Sequence, residues 1–110
     1  MKSRIMFHTR TKDKSKLKYS LGMDFISEKI LPNNIISPVL YIAWAKPKDA
    51  DIGSKKTGNA IINTRLDRMI SKNKTYGELP RIIKKDLNYF IERAKKYYKT
   101  MDISNTVIML

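Results

Sequence analysis

Between Arg4 and Lys12, Ile5, Phe7, Thr9 and Thr11 alternate with Met6, His8, Arg10 and Lys12. A period of two marks a strand with one face buried, so this segment is expected to be extended. The same alternation continues in Leu17, Tyr19, Leu21, Met23 and Phe25, interleaved with Lys18, Ser20, Gly22 and Asp24, and predicts a second strand. The segment between them, Lys12-Asp13-Lys14-Ser15-Lys16, has no apolar residue and reads as the flexible basic tip of a hairpin near 12–16. The alternation breaks at Ile26 to Leu31, where Ile26 and Ile30 stand four apart, which fits one helical turn stopped by Pro32-Asn33-Asn34. Val39 to Ala45 is continuously apolar, rich in β-branched and aromatic residues and bounded by Pro38 and Pro47, so a third, buried strand is expected near 39–45.

Lys46 to Gly58 mixes Pro, Asp, Gly and Lys without periodicity and reads as a long exposed loop. Asn59 suits the cap of a following helix, in which Ile62, Leu66, Met69 and Ile70 form an apolar stripe while Arg65, Arg68 and Lys72 share another face. After a polar break from Ser71 to Gly77, Pro80 fits a first helical position. Ile83, Leu87, Phe90, Ile91, Ala94 and Tyr98 then predict one long amphipathic helix from Pro80 to about Lys99, with Arg81, Lys84, Lys85, Lys95 and Lys99 outside the apolar face. The tail from Ile103 to Leu110 can form a last strand, completing its own sheet or pairing with a second copy, which leaves a homo-oligomer open. The expected fold class is α+β: a small antiparallel sheet, built of the N-terminal hairpin and the third strand, packed against two C-terminal amphipathic helices.

Composition narrows the class. With 110 residues and 42% hydrophobic content, the chain can build one modest core, so residues 1–110 are expected to form a single basic domain. Cysteine is absent, which excludes disulfides and thiolate metal sites. No apolar h-region follows the charged start, and the apolar run from Val39 to Ala45 is too short to span a bilayer; no transmembrane segment is expected, and the cytoplasm is the default compartment.

Charge changes the picture most. The formal net charge is +13, from 23 basic and 10 acidic residues. It is concentrated at both ends: residues 1–20 carry seven Lys or Arg against Asp13, net +6, and residues 65–99 carry eleven against four acids, net +7. A field of that size favours a polyanionic partner, DNA or RNA above all.

The candidate chemistry is sparse. Gly53-Ser54-Lys55-Lys56-Thr57-Gly58-Asn59-Ala60 has the glycine spacing of a nucleotide phosphate-binding loop, but Asn59 and Ala60 replace the lysine and the magnesium-binding hydroxyl. What remains is a loop whose Lys55, Lys56 and backbone N–H groups, beside a helix N-terminus, suit a backbone phosphate. His8 is the only histidine, so a two-histidine catalytic or metal site is excluded. Asp49 and Asp51 sit beside Lys55 and Lys56, where neutralising neighbouring lysines is their expected role rather than holding a metal. Among the aromatics, Trp44 and Tyr41 belong to the most apolar segment and are expected in the core, whereas Tyr76, near Lys72 and Lys74, is a candidate to stack on a base. Neither a helix-turn-helix nor a ribbon-helix-helix pattern fits, because the break from Ser71 to Leu79 and the loop before Asn59 are both too long.

These observations favour a non-enzymatic nucleic-acid-binding protein that contacts phosphates with weak sequence preference. Its expected binding residues are Lys55, Lys56, Arg65, Arg68, Lys72, Lys74 and Tyr76, with Lys12, Lys14 and Lys16 at the hairpin tip; no cofactor or metal is called for. Two alternatives belong to other classes. One is a small inhibitor or adaptor that docks its basic face on an acidic protein surface. The other is a toxin-like ribonuclease built on His8 and nearby cations such as Arg10.

Overall fold

The alternation of the N-terminal half is realised as a meander of strands. A computed structural model describes residues 4–9, 19–45, 55–77 and 79–110. Strand β1 (Ile5–Thr9) pairs antiparallel with β2 (Tyr19–Ile30), which pairs antiparallel with β3 (Ile36–Ala45). The chain then forms α1 (Lys55–Lys72), α2 (Arg81–Lys84), α3 (Leu87–Tyr97), a short 3-10 turn (Ile103–Asn105) and β4 (Val107–Met109). The sheet order is β1-β2-β3-β4. The expected hairpin tip at 12–16 and the part of the expected loop from 46 to 54, with Asp49, Asp51 and Gly53, lie outside the described residues.

The fold class is α+β, with one correction, in the sheet, and one addition, in the placing of the helices. The tail does form a strand, but β4 runs parallel to β3, with Val39 opposite Val107 and Tyr41 opposite Met109, so the sheet is mixed rather than antiparallel. The helices also pack on opposite faces of the sheet. Val39, Tyr41, Ala43 and Ala45 cluster with Ile62, Leu66 and Met69 of α1, whereas Leu21, Met23, Leu40 and Ile42 cluster with Ile83 of α2 and Phe90 and Ala94 of α3. Helices on both faces explain why Val39 to Ala45 is a continuous apolar run instead of an alternating one: each side chain meets a helix whichever way it points. Fully burying such a side chain contributes about 1.5–3 kcal/mol.

The close approach of α1 to the sheet depends on two small residues. A Cβ added at Gly22 would lie 2.2 Å from Ile62 Cγ2 and 2.9 Å from Met6 Sδ. One added at Gly58, in the first turn of α1, would lie 3.0 Å from Ser20 Oγ. A polar clamp locks the same face: Arg4 Nε donates to Asp24 Oδ2 at 2.9 Å, Arg4 Nη1 to Asn63 Oδ1 at 2.9 Å and Arg4 Nη2 to Asp67 Oδ1 at 2.5 Å, so one guanidinium joins the start of β1 to β2 and α1. On the other face, Phe90 sits against Phe7 at 5.2 Å and Tyr19 at 6.5 Å between ring centroids. Burial, reinforced by the charge of Asp24, pushes the Tyr98 phenol well above its ordinary range, and its hydroxyl donates to the Met23 carbonyl at 3.4 Å.

Three element boundaries differ from the sequence reading. Ile26 to Leu31 is not a helical turn: β2 runs on to Ile30, and a bulge between Ile26 and Lys29 shifts the alternation, which is why those residues lose their period of two. Pro38 lies inside β3 rather than before it, at the same irregularity, where no register partner stands between Ser37 and Val39. The expected helix from Pro80 to Lys99 is broken at Lys85 and Asp86; there Asp86 N bonds to Ile83 O, three residues back, before the four-residue spacing resumes from Phe90 N to Asp86 O. Pro80 itself stands just before the first helical residue, with φ −54° and ψ 148°. Asp102 leads into β4 by accepting from Ser104 N and Oγ and from Asn105 Nδ2, and these bonds, those of Ser104 foremost, hold its carboxyl below its ordinary range.

Candidate nucleic-acid interface

Helix α1 begins at Lys55, four residues before the expected cap at Asn59. Lys55 and Lys56 are therefore helical, and the glycine pair does not frame a loop that ends at Gly58. Gly58 packs against Ser20 as a spacer, and Asn59 is inside the helix with its Oδ1 buried and without a hydrogen-bond partner. Ten residues separate Lys55 from Arg65, about 15 Å along a helix axis, so the two ends of α1 are distinct places on the surface.

Five of the expected binding residues come together at the other end. Arg65, Arg68 and Lys72 recur at spacings of three and four on α1, and Lys74 and Tyr76 follow in the segment that turns back along the sheet. The turn is made at Asn73, in the left-handed region at φ 51°. The returning backbone then docks on the end of β4, where Tyr76 N donates to Leu110 O at 3.2 Å.

Within this group the roles divide. Arg65 is half-buried: β4 pairs with β3 only from Val39 to Tyr41, and beyond it Arg65 Nη1 donates to the Trp44 carbonyl. Its guanidinium carbon also lies 6.0 Å from the Trp44 ring and 5.6 Å from that of Tyr76. Lys74 Nζ approaches the Tyr76 ring at 5.2 Å. Arg65 thus holds the sheet edge to α1, and the ring of Tyr76 is already attended by two cations, each contact worth roughly 0.5–1 kcal/mol at an exposed site. Arg68, Lys72 and Lys74 are exposed and make no ion pair among the described residues. The nearest acid in sequence, Asp67, is held by Arg4.

A second basic face lies across the sheet. Arg81, Lys84, Lys85, Arg93, Lys95, Lys96 and Lys99 are all exposed, and Tyr89, 56% exposed, shares one side of α3 with Arg93 and Lys96. Sequence spacing carries that stripe, at positions i, i+4 and i+7, beside the stronger apolar pattern of the same helix. This face also carries acid: Glu92 stands three and four residues before Lys95 and Lys96, and Lys95 helps to lower the Asp102 carboxyl. Arg93 lies 5.8 Å from the Phe7 ring.

His8 stands on β1 opposite Ser20 in register. No group of three or more His, Asp or Glu side chains that could hold a metal occurs among the described residues, and no helix there is long and apolar enough to cross a membrane. Lys12, Lys14 and Lys16 lie outside the described residues. No family model, curated protein or solved structure matches this chain.

Proposed function

We propose that the protein binds nucleic acid, through phosphate contacts and with weak dependence on base sequence. The observation that carries this reading is the state of its cations: ten exposed Lys and Arg side chains on the α1 edge and the α2–α3 face make no direct ion pair among the described residues. Unpaired surface charge of one sign raises the local density of a polyanion and gains from the counterions that the polyanion releases. The α1 edge, with Arg68, Lys72 and Lys74, is the primary contact, because the adjacent acid, Asp67, is engaged by Arg4, which it shares with Asp24, whereas Glu92 and Asp102, free of ion pairs among the described residues, offset part of the α3 charge.

Salt dependence tests the reading. Affinity for a fluorescent 20-base-pair duplex, measured by anisotropy, is expected to fall steeply with added salt, with a log–log slope of about −3 to −5 for three to six phosphate contacts. Scrambling the duplex sequence is expected to change affinity less than threefold or so. A slope near zero, or no binding in dilute salt, overturns the proposal and turns attention to an acidic protein surface.

A further inference from the structure

The far end of the β2–β3 ribbon stands apart from the rest of the sheet. β1 pairs with β2 only as far as Met23 and β4 reaches β3 only at Val39, so the rungs Lys29–Ser37 and Ile30–Ile36 have no strand on either side among the described residues. Ile30 lies seven residues beyond Met23, about 23 Å at the usual rise of a strand. The molecule is elongated, 44 Å by 25 Å by 25 Å. The tip is nonetheless well fixed: Leu31 N donates to Ile35 O and Asn34 N to Leu31 O, both at 2.9 Å, Ile35 N donates to Asn33 Oδ1 at 3.2 Å, and Asn34 takes the left-handed conformation at φ 63°. On this tip three isoleucines face solvent: Ile30 is 62% exposed, Ile35 57% and Ile36 64%. Pro32, Asn33 and Asn34 beside them are exposed too.

The ribbon is tied to the cationic end of α1. Lys29 Nζ donates to the Ile70 carbonyl at 2.6 Å, and Ile26, Leu31 and Ile70 pack on one core cluster. Lys72, two residues on from Ile70, therefore stands at the base of the ribbon. A stiff apolar tip carrying proline and asparagine, with the unpaired cation Lys72 at the base of its ribbon, matches the chemistry by which proteins enter the minor groove of a duplex: asparagine meets the acceptors on the groove floor, isoleucine or proline wedges between base steps, and cations grip the flanking phosphates. Trp and Tyr, the side chains enriched where proteins meet a membrane interface, are not present on this tip.

We propose that the β2–β3 hairpin tip is a wedge that inserts Ile30, Ile35 and Ile36 into the minor groove of duplex DNA and bends it, an inference that rests on the nucleic-acid reading above. Bending is read by energy transfer between dyes at the two ends of a 25-base-pair duplex, and affinity by titration of the same duplex with and without a central mismatch, whose bases are already partly unstacked. The protein is expected to raise end-to-end transfer and to bind the mismatched duplex about tenfold more tightly than the paired one. Ile30→Ser/Ile35→Ser/Ile36→Ser is expected to abolish both effects while keeping affinity for the paired duplex within about threefold, because the phosphate contacts remain. Should the triple variant melt early, Ile35→Ser alone, outside both strands, carries the same comparison.

If the wild-type protein binds with a steep salt slope but neither bends DNA nor prefers the mismatch, the wedge is overturned while the phosphate-binding reading stands. If the serine variant bends as the wild type does, the tip is not the wedge. If the protein binds no duplex, both proposals fall. Isoleucine-dependent sedimentation with 1:1 phosphatidylserine–phosphatidylcholine vesicles, with no bending of DNA, assigns the tip to membranes and overturns the proposal.

Discussion

Gly22→Ala lowers the stability of the protein by about 1–3 kcal/mol, the range expected when a well-packed interior receives one atom too many. The added Cβ would meet Ile62 Cγ2 at 2.2 Å and Met6 Sδ at 2.9 Å. Met6 can yield, because a thioether chain has several rotatable bonds, but the Ile62 methyl is fixed directly to its own Cβ on α1 and moves only with the helix. The backbone conformation at Gly22 makes no demand for glycine; the space does. Thermal unfolding followed by circular dichroism should show a drop of about 4–8 °C per kcal/mol for a domain of this size. Ile62→Leu, which removes the offending methyl and keeps the volume, is expected to recover much of the loss in the double variant, and a purely additive result would rule out this contact as the cause.

The largest functional effect is expected from Arg68→Ala/Lys72→Ala/Lys74→Ala. All three side chains are exposed, so the charge can be removed without emptying the core. Arg65 is kept, because its loss would free the Trp44 carbonyl and mix a folding defect into the reading. Three lost phosphate contacts should flatten the log–log salt slope by about 2.7 and weaken duplex binding near physiological salt on the order of a hundredfold. Lys95→Ala/Lys96→Ala/Lys99→Ala removes the same formal charge from three positions that are exposed too and is expected to cost roughly threefold, a general effect of net charge. Equal losses in the two triple variants would mean that binding follows the overall charge and has no address on α1.

Much of the architecture was legible in the sequence because it followed from period alone. Leu21, Gly22, Met23 and Asp24 alternate as the strand does, and the stripe of Ile62, Leu66 and Met69 names the buried side of α1. Where the reading missed, a particular local event intervened. A bulge between Ile26 and Lys29 imitates a helical spacing, and Lys55 to Gly58 resembles a loop in composition although glycine there serves the contact with Ser20. The direction of β4 and the side of the sheet each helix takes are relations between distant segments that no local period encodes. The cations of the candidate interface were visible individually. That Arg65 is spent on the Trp44 carbonyl depends on where β4 stops.

The short parallel pairing of β4 has a kinetic consequence. Its partners Val39 and Val107 are 68 residues apart, whereas the β2–β3 rungs close over a turn of a few residues. Closing the longer loop forfeits more chain entropy before any contact repays it, and only three rungs follow. The meander and α1 can therefore assemble first, with the last strand arriving as a late zipper that also seats Tyr76 N on Leu110 O. Pulse-labelled amide exchange during refolding should find the interior of β2 protected before Val107 to Met109. The same late zipper would be the first part of the sheet to open, so the edge that orients Arg65 is fastened by the last bonds to form.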